Sequence, residues 1–199
     1  PVIQLGFEKY LDLIYQQDPL FKKLMEVNKT FEIQWANAQV EAGADIIAYY
    51  DPVSSPTIIP PALYYETGFR VASEVIKKIN TPCATHFASG RSLPILDKII
   101  ATGSKGIGFS ASESLAKAKK ICYGKMALMG NLDGISMRNW SEEETEEKVR
   151  TAIKEAARGG GFVLSDNHGE IPYQVPDKVL RSITEAVKKW GNYPIHPDV

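Results

Sequence analysis

Residues 43–61 read GADIIAYYDPVSSPTIIPP. Gly43 closes a helical pattern, and the apolar run 45–49 follows at once. Asp51 comes next, then four prolines within 51–61. Proline fixes its own φ and lacks an N–H donor, so 51–61 reads as a long loop without regular structure. The order is helix, short apolar strand, loop, helix. Outward from this stretch the same order recurs four times. Short apolar runs lie at 82–87, 106–109, 126–132 and 161–164, each followed by a helical pattern. Strands alternating with helices predict βαβ units and a parallel sheet.

The helical patterns carry their own punctuation. Residues 7–43 repeat apolar positions at helical spacing, interrupted at Asp18-Pro19, where Asp18 can cap and Pro19 suits a first helical position. Further helices are predicted over 62–78, 93–101 and 115–122. Ser141 followed by three glutamates predicts a helix start with acid in its first turn, running to about 158. Gly159-Gly160-Gly161 ends that helix, and Pro176 opens the last one, 177–190.

A closed (β/α)8 barrel needs eight such units and typically ~250 residues. The 199 residues here hold five units and begin at Pro1. The expected fold is therefore α/β: one domain over 1–199, the C-terminal portion of a (β/α)8 TIM barrel with about five parallel strands. Such a sheet would leave two edges and one apolar flank exposed, which favours pairing with another chain, including a homo-oligomer. Any active site is expected where the strands end.

Composition narrows the classes. A formal charge of -1 gives no basis for a nucleic-acid partner or an anionic membrane surface. No apolar run approaches the ~20 residues of a membrane span. Cys83 and Cys122 are too few for a disulfide framework. A cytoplasmic location is the expectation.

Two of the three histidines lie just past strand ends, His86 after the second and His168 after the fifth. In a parallel barrel both would face one mouth, where imidazole can ligate zinc, shuttle protons or bind a carboxylate. A rim histidine satisfied by backbone groups is the alternative. Asp51 can orient a substrate, accept a proton or cap its loop. Arg91 can grip a carboxylate or phosphate, or lie solvated. Asn131 and Asn167 close the fourth and fifth strands as candidate substrate-binding amides. Asp133 reads as turn chemistry, and the acidic run 142–147 as a solvated helix face.

Four stretches together resemble the uroporphyrinogen decarboxylase superfamily. They are AQVEAGADIIAYYDPVSSP (38–56), THFASGRSLPILDKI (85–99), MALMGNLDG (126–134) and the segment GGGFVLSDNHGEIPYQVPDKVLRSITEAVKKWGNY (159–193). The likeness runs from about Leu5 to Tyr193 and implies a (β/α)8 barrel. The first stretch is closer to the cobalamin-dependent methyltransferase branch. That branch moves a methyl group between a small donor or acceptor, such as coenzyme M, and a corrinoid protein. It implies a zinc site with a His-x-Cys pair and a later cysteine. Here His86 matches the first ligand, Ala88 stands at the second, and His168 stands at the last. Glu113 is the acid nearest to a further ligand position. The implied site is thus His86, His168 and Glu113, poorer in thiolate than the branch pattern and expected to hold zinc more weakly.

The resemblance leaves two alternatives. One is uroporphyrinogen decarboxylase, a carboxy-lyase of porphyrin biosynthesis that needs no cofactor. A polyanionic tetrapyrrole favours several cations at the mouth, whereas only Arg91 and Arg138 fall near strand ends. The other is a non-catalytic binding or assembly module.

Overall fold

The computed structural model describes residues 1–16, 18–197 and 199. Its five strands form one parallel sheet in chain order. They are β1 (Ile47–Tyr50), β2 (Cys83–His86), β3 (Gly106–Phe109), β4 (Ala127–Leu132) and β5 (Phe162–Asp166). Each strand lies within two residues of the run that predicts it. The helices are α1 (Val2–Leu5), α2 (Phe7–Tyr15), α3 (Pro19–Glu41), α4 (Pro61–Glu66), α5 (Gly68–Ile76), α6 (Leu96–Ala101), α7 (Leu115–Cys122), α8 (Glu142–Ala156) and α9 (Asp177–Trp190).

The punctuation works as its chemistry requires. The Asp18 side chain accepts from the Leu20 N–H at 2.8 Å, and Pro19 begins α3. Ser141 Oγ accepts from the Glu144 N–H at 3.1 Å at the head of α8. The single helix expected over 62–78 is instead two. The chain bends at Thr67, and Gly68 then passes close to Ser54. A Cβ at Gly68 would stand 2.1 Å from Ser54 Oγ, so the approach depends on glycine. The expected helix over 93–101 opens as a 3-10 turn, Leu93–Ile95. A further 3-10 turn, Pro52–Ser54, sits in the proline-rich loop that the sequence left irregular.

The two faces of the sheet differ. On the helix-covered face Ile107, Phe109 and Leu128 are fully buried, with Ile95 and Ile99 of the overlying layer. A second cluster joins α8 and α9 through Val149, Ile153 and Val179. A third joins α3, α5 and β1 through Ala36, Val75 and Ile47. On the other face a row of register partners runs Tyr50, His86, Gly108, Met129, Val163. At its ends Tyr50 is 57% and Val163 55% exposed. The exposed apolar flank expected from the sequence is therefore present. Among the described residues no helix is long and apolar enough to cross a membrane.

Candidate functional site

The C-terminal ends of the strands carry most of the candidate residues. His86 ends β2 and is only 7% exposed. Its ring stacks on Tyr50 of β1, with centroids 5.2 Å apart and planes 11° from parallel. The opposite neighbour is Gly108 of β3, where any Cβ would lie 2.3 Å from His86 Cδ2. The Ala88 N–H donates to His86 Nδ1 at 3.0 Å. That bond occupies the Nδ1 lone pair, so the neutral ring carries its proton on Nε2. Burial lowers the His86 pKa below the usual 6.5, and the His168 charge adds to this, while Asp166 opposes it. His86 is thus a neutral ring offering an Nε2–H.

The turn after β5 meets this ring. Asp166 Oδ2 accepts from the N–H groups of His168 at 2.9 Å and Gly169 at 2.7 Å. A Cβ on Gly169 would lie 3.6 Å from His86 Cε1, so the Gly169 backbone borders the imidazole edge. The two histidine-bearing elements therefore meet on one rim. His168 itself is exposed, and neither histidine lines the two cavities that open beside it.

Asp51 follows β1, and its N–H donates to the His86 carbonyl at 3.0 Å. Its carboxylate accepts from Ser54 Oγ at 2.5 Å. Asp51 lines a cavity of about 470 Å³ between the N-terminal helices and the proline-rich loop. Burial raises its pKa, although both Ser54 donors pull the other way.

Asn131 and Asn167 line a second, wider cavity of about 810 Å³ beside α8. Asn131 Nδ2 donates to the carbonyls of Ser110 and Glu113 at 2.9 and 3.2 Å. Asn167 Oδ1 accepts from the Gly134 N–H at 3.4 Å. Asp133 Oδ1 accepts from the Ile135 and Ser136 N–H groups, the turn chemistry expected of it. Glu142, Glu143, Glu144 and Glu147 are all exposed, the solvated helix face expected of the acidic run, while Glu146 is half-buried and accepts from Lys189 Nζ and Trp190 Nε1.

The expected metal triad is not assembled. Glu113 is buried and accepts from Ser92 N–H at 2.7 Å, Leu93 N–H at 2.9 Å and Ser92 Oγ at 3.3 Å. Its carboxylate holds the start of a 3-10 turn instead of facing the histidines. Arg91 Nε stands 3.8 Å from Glu113 Oε1 with its side chain 59% exposed. Arg91 thus spends its charge partly on Glu113. The His86 Nδ1 lone pair is already used. Among the described residues no three His, Cys, Asp or Glu side chains cluster to hold a metal ion. The donor set does not fit the zinc site that the resemblance implies.

Sequence reasoning missed several partners. Tyr50 and Gly108 confine His86, and their register comes only from strand pairing. Tyr10 of α2 and Glu32 of α3 share the Asp51 cavity through contacts distant in sequence. One weak signal existed, the glycine alternation in GIGF (106–109), which marks close approach within a strand.

The His86 environment has a direct spectroscopic consequence. In an NMR titration its ring protons should report a midpoint below 6.5. Since the folded pKa is depressed, this group stabilises the fold above the unfolded value near 6.5, and the contribution is lost as pH falls through the lower folded value. A midpoint at or above 6.5 would contradict the buried, Ala88-bonded ring.

Known proteins place this architecture. The uroporphyrinogen decarboxylase (URO-D) family model matches residues 3–190. The uroporphyrinogen decarboxylase of Coxiella burnetii (strain RSA 493 / Nine Mile phase I) is 26% identical over 193 residues, covering 90% of this chain and 50% of that protein. The methylcobamide:CoM methyltransferase MtaA of Methanosarcina barkeri is 27% identical over 185 residues, covering 92% and 52%. The solved structure of a methyltransferase from Methanosarcina mazei superposes with a TM-score of 0.83 at 22% identity, covering 94% of this chain and 54% of that one. The chain spans about half the length of the curated relatives it matches. With five consecutive parallel βα units and a family match across nearly its whole length, this chain belongs to the uroporphyrinogen decarboxylase (URO-D) family.

Proposed function

We propose that the protein is a methyltransferase of this family, moving a methyl group between a small molecule and a corrinoid carried by a partner protein. The observation that carries the reading is the charge around the wider cavity beside α8. Around the wider cavity stand Asp133, Glu144, Glu147 and Glu155, against one cation, Lys148. A porphyrinogen bearing several carboxylates would meet net repulsion there. A corrinoid periphery carries neutral amides instead. The hydroxyl and amide groups of Ser110, Asn131 and Asn167, beside the apolar Trp140 and Leu132, suit such a periphery. When bound, the corrinoid supplies the cobalt that exchanges the methyl group.

This chain's own residues bind and orient. His86 presents an uncharged Nε2–H at the rim, held by Tyr50, Ala88 and Gly108. Asp51 and Ser54 present polar groups to the smaller cavity, whose walls are otherwise largely apolar. No step runs through zinc, because the donor set does not fit one.

Anaerobic incubation with methylcobalamin and a panel of thiols tests the reading. Loss of the methylcobalamin spectrum with matching methyl thioether by mass spectrometry is the expected result. Conversion of uroporphyrinogen III to products with fewer carboxyls, with no methyl transfer, would overturn it in favour of the decarboxylase.

A further inference from the structure

At the other end of the sheet, the loops before β3, β4 and β5 come together around a cavity of about 280 Å³. Lys105 precedes β3, Lys119 lies in the last turn of α7, and Lys125 precedes β4. All three line the cavity, and no aspartate or glutamate does. The whole chain has 24 acids against 23 lysines and arginines, so a wall with cations and no acid departs from its average. Among the described residues none of these three lysines stands in an ion pair. A cleft lined by one sign of charge focuses the field within it.

Part of the arrangement serves the fold. Lys119 opposes the negative end of α7. Its Nζ donates to the Gly160 carbonyl and stands 5.6 Å from the centre of the Tyr123 ring. Gly159, Gly160 and Gly161 all have positive φ, at 79°, 76° and 67°, a course that glycine follows readily. Tyr123 closes over this turn, since a Cβ on Gly159 would lie 2.6 Å from Tyr123 Cε2. Yet the Gly160 carbonyl takes one of three ammonium protons and cancels none of the charge. Lys119 is half-buried, and burial lowers its pKa, opposed only by the Cys122 thiol. A cation drawn partly out of water without a countercharge is costly. Lys105 and Lys125 add like charge along the same wall, which the fold alone does not require.

We propose that this cavity is an anion site for a small phosphate-bearing molecule. A tetrahedral phosphate can accept from several ammonium groups at once, each a point charge with rotatable donors. A planar carboxylate is matched best by a guanidinium fork, and no arginine lines the cavity. The volume lies at the small end of ligand sites, suited to a diphosphate or a small phosphate ester. The three glycines lead into β5 and open no helix, so the attraction comes from side-chain charge and not from a helix terminus. The site sits at the N-terminal ends of the strands, whereas His86 and Asp51 lie at the C-terminal ends. It is therefore independent of the methyl-transfer reading. In barrels the N-terminal face serves stability more than chemistry. A bound anion would clamp the loop after α7 to the loop after α8 and stabilise the folded state by mass action.

The test titrates the protein with inorganic pyrophosphate at low ionic strength. The amide NMR signals of Gly124, Gly160 and Gly161 should shift saturably, with a Kd of about 1 mM or tighter. Tm should rise with pyrophosphate concentration. Lys119→Met keeps the aliphatic stem and should weaken binding at least ~10-fold. Lys105 and Lys125 are exposed, so their replacement keeps the test open if the Lys119 variant does not fold. Lys105→Met and Lys125→Met should each weaken binding by roughly 2- to 5-fold. Lys22→Met, on exposed α3 surface, should leave it unchanged. Absence of a saturable shift would overturn the proposal, and so would equal binding by the wild type and the Lys105 and Lys125 variants. Citrate binding as tightly as pyrophosphate would overturn the phosphate assignment. Co-sedimentation with phosphatidylglycerol vesicles, without binding of pyrophosphate, would assign the lysines to a lipid surface and overturn the small-molecule site.

Discussion

Glu113→Ala should destabilise the fold by about 3 kcal/mol. The wild-type carboxylate is buried and satisfies two backbone N–H groups and one hydroxyl at the head of the Leu93–Ile95 turn. Hydrogen bonds to a charged group contribute roughly 1.5–3 kcal/mol each, and donors left buried without a partner incur their desolvation cost. The three bonds share one carboxylate, and water can enter from the Arg91 side, so the sum is not reached. Arg91→Ala should cost under about 1 kcal/mol, since that guanidinium is exposed and stands 3.8 Å away. The effect should reach further than the turn. Asn131 Nδ2 donates to the Glu113 carbonyl, and Ser110 Oγ accepts from Ser112 N–H at 3.3 Å and donates to the Ser89 carbonyl at 2.9 Å. The Glu113 carboxylate thus ties the loop after β3 to the turn after β2, and Asn131 of β4 holds the same loop through the Glu113 backbone carbonyl. Urea unfolding of both variants checks this. A Glu113→Ala cost below about 1 kcal/mol would mean that the carboxylate does not hold the turn.

Glu113 also shows where the sequence stopped being legible. The strands, their parallel order and the position of the rim follow from apolar runs, glycines and caps, because those signals are local and repeat five times. His86, Asp51 and Asn131 could be placed at strand ends for the same reason. What a side chain touches is set by the partner strand and by loops far away in the chain. Glu113 looked like a spare acid near a metal position, yet the 3-10 turn beginning twenty residues earlier claims both its oxygens. The bend at Thr67 was hidden because Gly68 reads as a tolerated helical glycine until Ser54 is placed behind it. Glu32 sits on the long helix α3 and carries no local signal that singles it out. Only the packing of α3 against the β1 loop brings it toward Asp51. The local code thus carried the scaffold, and non-local pairing carried the chemistry.

Gly108→Ala should disable the rim through a single methyl group. That methyl would lie 2.3 Å from His86 Cδ2 and 2.7 Å from Nε2. Real side chains do not tolerate such contacts, so the imidazole must turn. It cannot turn freely, because Tyr50 stacks on one face and the Ala88 N–H holds Nδ1. Overpacking of this kind costs typically 1–3 kcal/mol, and about 2 kcal/mol is expected here. With the ring displaced, its proton-bearing nitrogen no longer points where the fold places it. If the protein is the methyltransferase proposed above, a loss of about 100-fold in methyl transfer follows from misplacement on the scale of an ångström. The NMR midpoint of His86 should also climb back toward 6.5 as the ring gains solvent. A double-mutant cycle separates this from a general intolerance of β3. In His86→Ala the obstructing ring is gone, and Gly108 has no positive φ that would forbid a side chain. Gly108→Ala in that background should then be neutral, or stabilising by about 0.4–1 kcal/mol through the reduced entropy of the unfolded chain. The coupling between the two sites is therefore expected at about 2 kcal/mol. Simple additivity would mean that the glycine serves the strand, not the histidine.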